Sequence, residues 1–389
     1  MKIKFGLLPQ IIVAIILAAL LGTIMPKDGV RIFATFNGLF GNFLNFVVPL
    51  LIVAFIAPGI AQLGKGSGKL LGLATFFAYF STLIAGFFAF FIASNILPKL
   101  ISTSGSEQFA NPEESLAKTF VVIDMPPLMG VMTALLLAFI LGIGMAAINS
   151  EVMKKFFDEF NLIIDKVISK IIIPLLPFHI FGIFLNMTFA GQVAKILSVF
   201  ALVFLLIILM HICILVLQYV VAGAVNKKNP FYLLKTMAPA YFTALGTQSS
   251  AATIPVTLKQ ARKAGASERV TGFTVPLFAT IHLSGSTITL TTCSIAVMML
   301  NNHAYTLTEM IPFIFMLGVV MVAAPGVPGG AVMAATGILQ SMLGFDETMV
   351  ALMIALYLAQ DSFGTATNVT GDGALSMIVD RFSIKSKHS

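Results

Sequence analysis

The sequence predicts an all-α polytopic membrane protein, with eight transmembrane helices and two re-entrant helical hairpins arranged as inverted repeats. Three observations carry this. The 389 residues are 58% hydrophobic and 10% charged, with a mean hydropathy of +1.00; a soluble domain is near half apolar and about a quarter charged. The apolar residues lie in long runs, and about 20 of them span a bilayer. Two further apolar segments are broken by clustered glycine, proline and small polar residues.

The first run, Phe5 to Met25, has a basic flank. It is too long for a signal-peptide core and no small-residue cleavage site follows, so it reads as a retained first helix. The eight spans fall at 5–26, 36–63, 70–97, 127–149, 168–190, 194–224, 270–300 and 348–380. They are taken as helices because lipid leaves the backbone no partner but its own chain. Glu151 to Lys170 is polar, with Phe156, Phe157, Phe160 and Ile163 near helical spacing. It reads as an interfacial helix or as the early part of the fifth span. Segment 231–260 places short apolar arms around Thr247–Thr253, followed by Pro255; segment 311–345 does so around Pro325–Gly330. Such breaks at membrane depth suggest re-entrant hairpins, tolerated where they are buried in protein or line a wet cavity. Each hairpin is followed, at nearly the same interval, by a span with a polar interruption, at Ser284 and at Asp361. Paired broken segments point to a transporter's binding site.

The net charge of +7 comes from short basic clusters between apolar runs: Lys2 and Lys4, Lys65 and Lys69, Lys227 and Lys228, Lys259 to Lys263, and Arg381 to Lys387. That is the positive-inside pattern rather than a nucleic-acid surface. With the N-terminus inside, the mostly acidic loop Gly105–Asp124 falls outside, and Lys227, Lys228, Lys235 and the basic tail fall inside. The expectation is a multi-pass protein of the cell membrane with both termini cytoplasmic and the bilayer as its surroundings. Cys213 and Cys293 give no disulfide framework and no metal spacing.

The eighth span contains Asp361, Thr365, Asn368 and Asp372, spaced four, three and four apart. At 3.6 residues per turn they share one face. A carboxylate at membrane depth costs several kcal/mol unless paired, on the order of insertion-scale values. An ammonium group and a hard cation are natural partners for such oxygens. The seventh span holds Thr280, His282, Ser284, Ser286 and Thr287 around Gly285, a cluster able to unwind a helix and expose carbonyls. His282 could titrate near neutrality, although such a histidine is more often a neutral hydrogen-bonded group. His179 and His211 stand alone and are assigned nothing. The first hairpin tip, Ser249-Ser250, offers hydroxyls and helix-end N–H groups to a carboxylate. The second, Gly326 to Gly330, offers close backbone approach and the mobility of a gate.

These residues resemble the dicarboxylate/amino acid:cation symporters, which include the glutamate transporters. Ser249-Ser250 is similar to that family's serine-rich first tip, and Gly326-Val327-Pro328-Gly329 to its second. Thr365 and Asn368-Val369-Thr370-Gly371-Asp372 match the end of its last-helix signature. Order and spacing agree over 230–382, while the N-terminal half agrees in span pattern. The resemblance implies a glutamate-transporter-like elevator fold and a homotrimer. Static scaffold segments, 1–68 and 127–193, would support a sliding transport domain formed by 69–126 and 194–389. It also implies that Asp361 binds the substrate amine and that Ser250, Thr365 and Asn368 hold the α-carboxylate, with Ser249, Ser286, Val327, Gly329 and Gly364 completing the substrate site. Asn368 and Asp372 would bind sodium, the Thr280 carbonyl and the second tip would close another sodium site, and His282, Ser284, Ser81 and Thr82 correspond to a third.

Two departures matter. Where acidic-substrate members carry an arginine, this sequence has Gly364. Without that bidentate partner an acidic side chain would leave an unpaired charge. Where the family has Asn-Met-Asp-Gly-Thr, this chain has His282-Leu283-Ser284-Gly285-Ser286. The function expected is secondary active symport of a small neutral amino acid, resembling serine, threonine or alanine, with sodium, no other cofactor and no enzymatic activity. A proton-coupled carrier, or one for a larger, cystine-like solute, is the alternative within the family. An ion channel suits two alternately placed hairpins less well. An intramembrane hydrolase built on Asp361 and Asp372 would need them to meet across a reacting group, and they lie about three turns apart on one helix.

Overall fold

The computed structural model describes residues 7–64, 69–102, 117–191, 193–322, 324 and 328–385, and among these every regular element is helical. The expected basic positions Lys2, Lys4, Lys65 and Lys387, most of the loop 105–124, and Pro325, Gly326 and Val327 lie outside the described residues. In chain order the helices are α1 (Leu7–Leu21), α2 (Lys27–Gly64), α3 (Lys69–Ser102), α4 (Val131–Ile148), α5 (Glu151–Val167), α6 (Ile173–Phe189), α7 (Val193–Asn226), α8 (Pro230–Thr247), α9 (Ser250–Ala264), α10 (Glu268–Ile281), α11 (Ser284–Leu300), α12 (Leu307–Val322), α13 (Gly330–Leu343) and α14 (Glu347–Lys385).

Six described stretches are long and apolar enough to cross a membrane: Lys27–Ala61, Leu70–Leu100, Glu151–Phe189, Ile196–Asn226, Glu268–Leu300 and Glu347–Ser383. Four shorter apolar helices accompany them, at Pro9–Leu21, Leu136–Ile148, Leu307–Val322 and Gly330–Leu343. The first and fourth expected spans are thus shorter than anticipated, and α2 begins well before residue 36. Pro26 separates α1 from α2, and Asp28 in the first turn of α2 suits a helix N-terminus. The guanidinium of Arg31 in α2 donates to the Lys118 carbonyl at 3.1 Å and lies 3.9 Å above the Phe120 ring.

The polar stretch after residue 150 is the early part of the fifth span rather than a separate helix. Ser150 caps α5 by accepting from the Met153 amide, and the helix continues through one π turn, Ile168–Ile172, into α6. Pro174 and Pro177 have no amide hydrogen to offer. The bonds they omit explain the local widening.

Both broken segments fold back on themselves. α8 and α9 form one antiparallel pair, joined at Gln248 and Ser249, and α12 and α13 form the other. Asn229 caps α8 by accepting from the Phe231 and Tyr232 amides. Asp380, near the end of α14, accepts from both the amide and the hydroxyl of Ser267 at 2.8 and 2.7 Å. That contact ties the start of α10 to the end of α14. The seventh span is broken as expected, at His282 and Leu283. The eighth is not: α14 runs through its polar stretch without interruption, with Asp361, Asn368 and Asp372 each partnered by a group of another segment.

Burial explains which helices carry polar groups. In the apolar windows of α10–α11 and of α14, 89% of residues are buried inside the protein, against 39% for α3 and 44% for α7. α14 is wrapped by α7, α8, α9, α10 and α11, with α3 beyond. A helix carrying Asp361 and Asp372 in its middle is held away from lipid by apolar helices that meet lipid in its place. α2 packs along α4, and α1 along α6, and these helices share one apolar core with α11, α13 and α14.

Gly142 permits the α2–α4 contact. A Cβ there would lie 2.6 Å from Ile60 Cβ and 2.8 Å from the Ala57 carbonyl, whereas one at Gly144, two residues on, would meet nothing within 4 Å. Gly142→Ala is expected to destabilise the purified protein by about 1–3 kcal/mol through overpacking, and Gly144→Ala to leave it unchanged or firmer. Thermal melting of the two variants in one detergent checks this; equal melting temperatures would contradict it.

Candidate functional site

The break between α10 and α11 creates the site. His282 takes an extended backbone conformation and Leu283 a non-helical one, and α11 starts afresh at Ser284. A helix N-terminus leaves amides unpaired, and deep in a membrane protein no bulk water satisfies them. Asn368 of α14 does so instead. Its Oδ1 accepts from the amides of Gly285 at 2.7 Å and Ser286 at 3.3 Å, and its Nδ2 donates to Ser286 Oγ at 3.0 Å. Ser286 Oγ also accepts from the Tyr357 hydroxyl at 3.1 Å. Close approach requires glycine here: a Cβ on Gly285 would lie 2.5 Å from the Gly364 carbonyl.

Two turns before Asn368 on the same face, Asp361 Oδ2 accepts from the Gly329 amide at 2.7 Å. Gly329 is the N-cap of α13, with φ of 75°, and a Cβ there would lie 2.8 Å from Leu358. Both the left-handed backbone and the lack of space demand glycine. The second hairpin therefore presents its backbone directly to a buried carboxylate. Asp361, Thr365 and Asn368 of α14 line one cavity with Ser286 of α11, Ser250 and Gln248 of the first tip, and Tyr357, Leu283, Ala279, Ala324 and Ala331. About 30 Å³ of it is open to the centre of a water molecule. Among the described residues its only charged lining residue is Asp361.

A second polar cluster lies further along α14. Asp372 Oδ1 is 2.8 Å from His282 Nδ1, and His282 Nε2 is 3.1 Å from Ser81 Oγ of α3. Gln218 of α7 donates to both Ser81 Oγ and Ser284 Oγ, at 3.1 and 3.2 Å. Two buried oxygens near this stretch, Gln218 Oε1 and Thr370 Oγ1, have no hydrogen-bond partner. Carboxylate, hydroxyl and amide oxygens suit a hard cation, but the imidazole nitrogen sits on Asp372 where such a cation would be. Among the described residues no three His, Cys, Asp or Glu gather as a metal site.

Other expected positions sit elsewhere. Ser249 is the N-cap of α9, accepting from the Ala252 amide at 3.3 Å, and does not line the cavity. Gly364 also lies off the cavity wall, its missing Cβ facing the Ser286 amide at 3.6 Å. Thr280 is exposed on the last turn of α10, its hydroxyl turned back to the Leu277 carbonyl. Thr82 bonds within its own helix to the Ala78 carbonyl. Val327 lies outside the described residues.

Sequence reasoning missed Gln248 and Tyr357 on the cavity, and Gln218, Tyr219 and His211 behind it. Tyr219 donates to the Thr370 carbonyl at 2.7 Å, and His211 Nε2 lies 3.0 Å from the Gly285 carbonyl. The signal for three of these was available: His211, Gln218 and Tyr219 are polar residues buried within the otherwise apolar α7.

Comparison with known proteins identifies the family and its relatives. The family profile described as the sodium:dicarboxylate symporter family matches residues 7–382. The chain is 26% identical to the serine/threonine transporter SstT of Acinetobacter baylyi, over 98% of each chain. It is 29% identical to SstT of Streptococcus suis, over 75% of this chain and 83% of that one. It is 29% identical to excitatory amino acid transporter 1 of Rattus norvegicus, over 60% of this chain and 44% of that one.

Asn368→Ala removes the acceptor that caps α11 and leaves two buried amides unpaired. The expected loss of stability is about 1–3 kcal/mol, seen as lower thermal melting in detergent. Ser250→Ala, at a partly exposed tip, is the control with little effect. Equal melting of the two variants would mean that Asn368 does not hold α11.

Proposed function

Since the chain belongs to the sodium:dicarboxylate symporter family, cation-coupled transporters and not enzymes, we propose that it carries a neutral α-amino acid, resembling serine, threonine or alanine, in symport with sodium. One observation carries the choice of solute: among the described residues Asp361 is the only charged group on the cavity wall, with no arginine, lysine or histidine beside it. A substrate ammonium balances Asp361. The α-carboxylate is met by neutral donors, from Ser250, Thr365 and the second N–H of Asn368. An acidic side chain would then find no cation and would be buried unpaired. Gly364 leaves the same gap in the sequence. The serine/threonine transporters among the relatives support the same solute class.

The Gly329 amide and a substrate ammonium are both donors to Asp361. On this reading a solute ammonium takes the Asp361 oxygen that the Gly329 amide holds, so the second hairpin tip moves when the site fills. That links gate position to occupancy, which is what coupling requires. On this reading 194–389 and 69–126 form a transport domain that slides against scaffold segments 1–68 and 127–193, in a homotrimer of the cell membrane with both termini cytoplasmic. The wrapping of α14 by α3 and α7 to α11 supports that division.

Asn368 and Asp372 are the proposed centre of the sodium site. A second reading, coupling to protons, is favoured by one contact, His282 Nδ1 on Asp372 at 2.8 Å. Uptake of labelled serine into proteoliposomes separates the two. An inward sodium gradient is expected to drive accumulation, and choline to abolish it. Accumulation in choline driven by an acid-outside gradient and lost in His282→Asn would establish the proton reading instead. Unlabelled threonine and alanine are expected to compete, and glutamate to fail by at least about tenfold, the worth of one unpaired buried charge at its smallest. Glutamate competing best would refute the neutral solute, and cystine competing best would point to a larger one.

A further inference from the structure

We infer that Gln248, at the tip of the first hairpin, reads the side chain of the solute and selects neutral amino acids that carry a hydroxyl or a carboxamide. This rests on the reading above that the cavity around Asp361 is the solute site.

Three features of Gln248 converge. First, it ends α8 in the left-handed conformation, with φ of 53° and ψ of 27°. Glycine, or sometimes asparagine, is the ordinary residue at such a helix end, because a longer side chain strains it. The described residues include three other non-glycine positions with positive φ; two are asparagines, and none of the three, Asn149, Lys227 or Asn302, lines the cavity. Strain of this kind persists where a side chain is needed at that point.

Second, Gln248 is on the cavity wall, and its turn is already built without its side chain. Its amide N–H donates to the Ala244 carbonyl at 2.8 Å, Ser249 caps α9, and the Thr253 hydroxyl donates to the Ser249 carbonyl at 2.9 Å. No described residue hydrogen-bonds the Gln248 carboxamide.

Third, the other polar groups on that wall are largely committed. Asp361 holds Gly329, Ser286 Oγ receives Tyr357 and Asn368, and Asn368 Oδ1 receives two amides. With Asp361 assigned to the ammonium, and Ser250, Thr365 and Asn368 to the α-carboxylate, the Gln248 carboxamide is left for the side chain. It offers both an acceptor and donors. That matches a hydroxyl or another carboxamide, gives nothing to a methyl group, and brings no positive charge to balance an acidic side chain.

The test is exchange in proteoliposomes of the full chain. Labelled alanine enters against unlabelled solute, and the concentrations of serine, threonine, asparagine and alanine that halve its entry are compared. Gln248→Gly fits the left-handed backbone better than glutamine does, so it is expected to fold and to melt no lower than the wild type. In the wild type serine and asparagine compete better than alanine. In Gln248→Gly that advantage shrinks by about three- to tenfold, the worth of one hydrogen bond. A merely structural glutamine would change all solutes together and leave the ratio alone. An unmoved ratio, or a wild type that treats serine and alanine alike, overturns the inference. Asp361→Asn run beside it isolates the underlying reading: alanine exchange that survives that substitution means the cavity is not the solute site, whatever Gln248 does.

Discussion

Everything in this molecule follows from one constraint: a polar group at membrane depth has to find its partner inside the protein. The partnership that satisfies it most fully is Asn368 against the start of α11, where one carboxamide receives two orphan amides and donates to a serine hydroxyl. Without it the broken seventh span would leave two buried amides unpaired. α14 in turn cannot carry Asp361, Asn368 and Asp372 unless other helices enclose it. The burial of α11 and α14, far deeper than that of α3 or α7, is the structural outcome. The glycines at 285 and 371 let the helices come close enough, with missing Cβ atoms 2.5 Å from the Gly364 carbonyl and 2.6 Å from Gln218 Oε1.

The same constraint turns a fold into a working site. Asp361 is stabilised by the Gly329 amide, and Asp372 by His282. On the proposed reading, one of these partners, at a hairpin tip, gives way to the solute's own donor. The other is a side chain fixed by Ser81, in a cluster with Gln218 and Ser284. The two carboxylates therefore differ in kind: the first is exchangeable, and the second is held by a built-in partner. This difference underlies the assignment of solute to Asp361, and makes the identity of the coupled cation turn on how His282 and Asp372 share their contact.

Much of this was legible in the sequence, and for identifiable reasons. Helices were read from apolar runs because lipid allows little else, and hairpins from glycine and proline that no continuous helix would carry. The face of Asp361, Thr365, Asn368 and Asp372 followed from helical periodicity alone. The reading went astray where pattern and partner separate. The polar run in α14 suggested an interruption, yet Asp361, Asn368 and Asp372 find partners on other segments and the helix stays whole. The polar character of 151–170 suggested a separate interfacial helix as readily as a span, and only the π turn at two prolines shows the continuity. Gln218, His211 and Gln248 went unassigned because their meaning lies in what they face across the bundle, which spacing along one helix does not report. Gly364, weighted heavily in the sequence, lies beside the cavity rather than on its wall; the absence of any cation among the lining residues carries the same argument more directly.

The central claim is that Asp361 holds the solute by its ammonium group, in exchange for the Gly329 amide. Isothermal titration of the purified protein with serine and with glyceric acid, which has a hydroxyl where serine has its ammonium, tests it most directly. The account predicts serine to bind roughly ten- to a hundredfold more tightly, the worth of a hydrogen bond between charged groups, and Asp361→Asn to erase the difference. Equal binding of the two compounds, or a preference that survives Asp361→Asn, would contradict it.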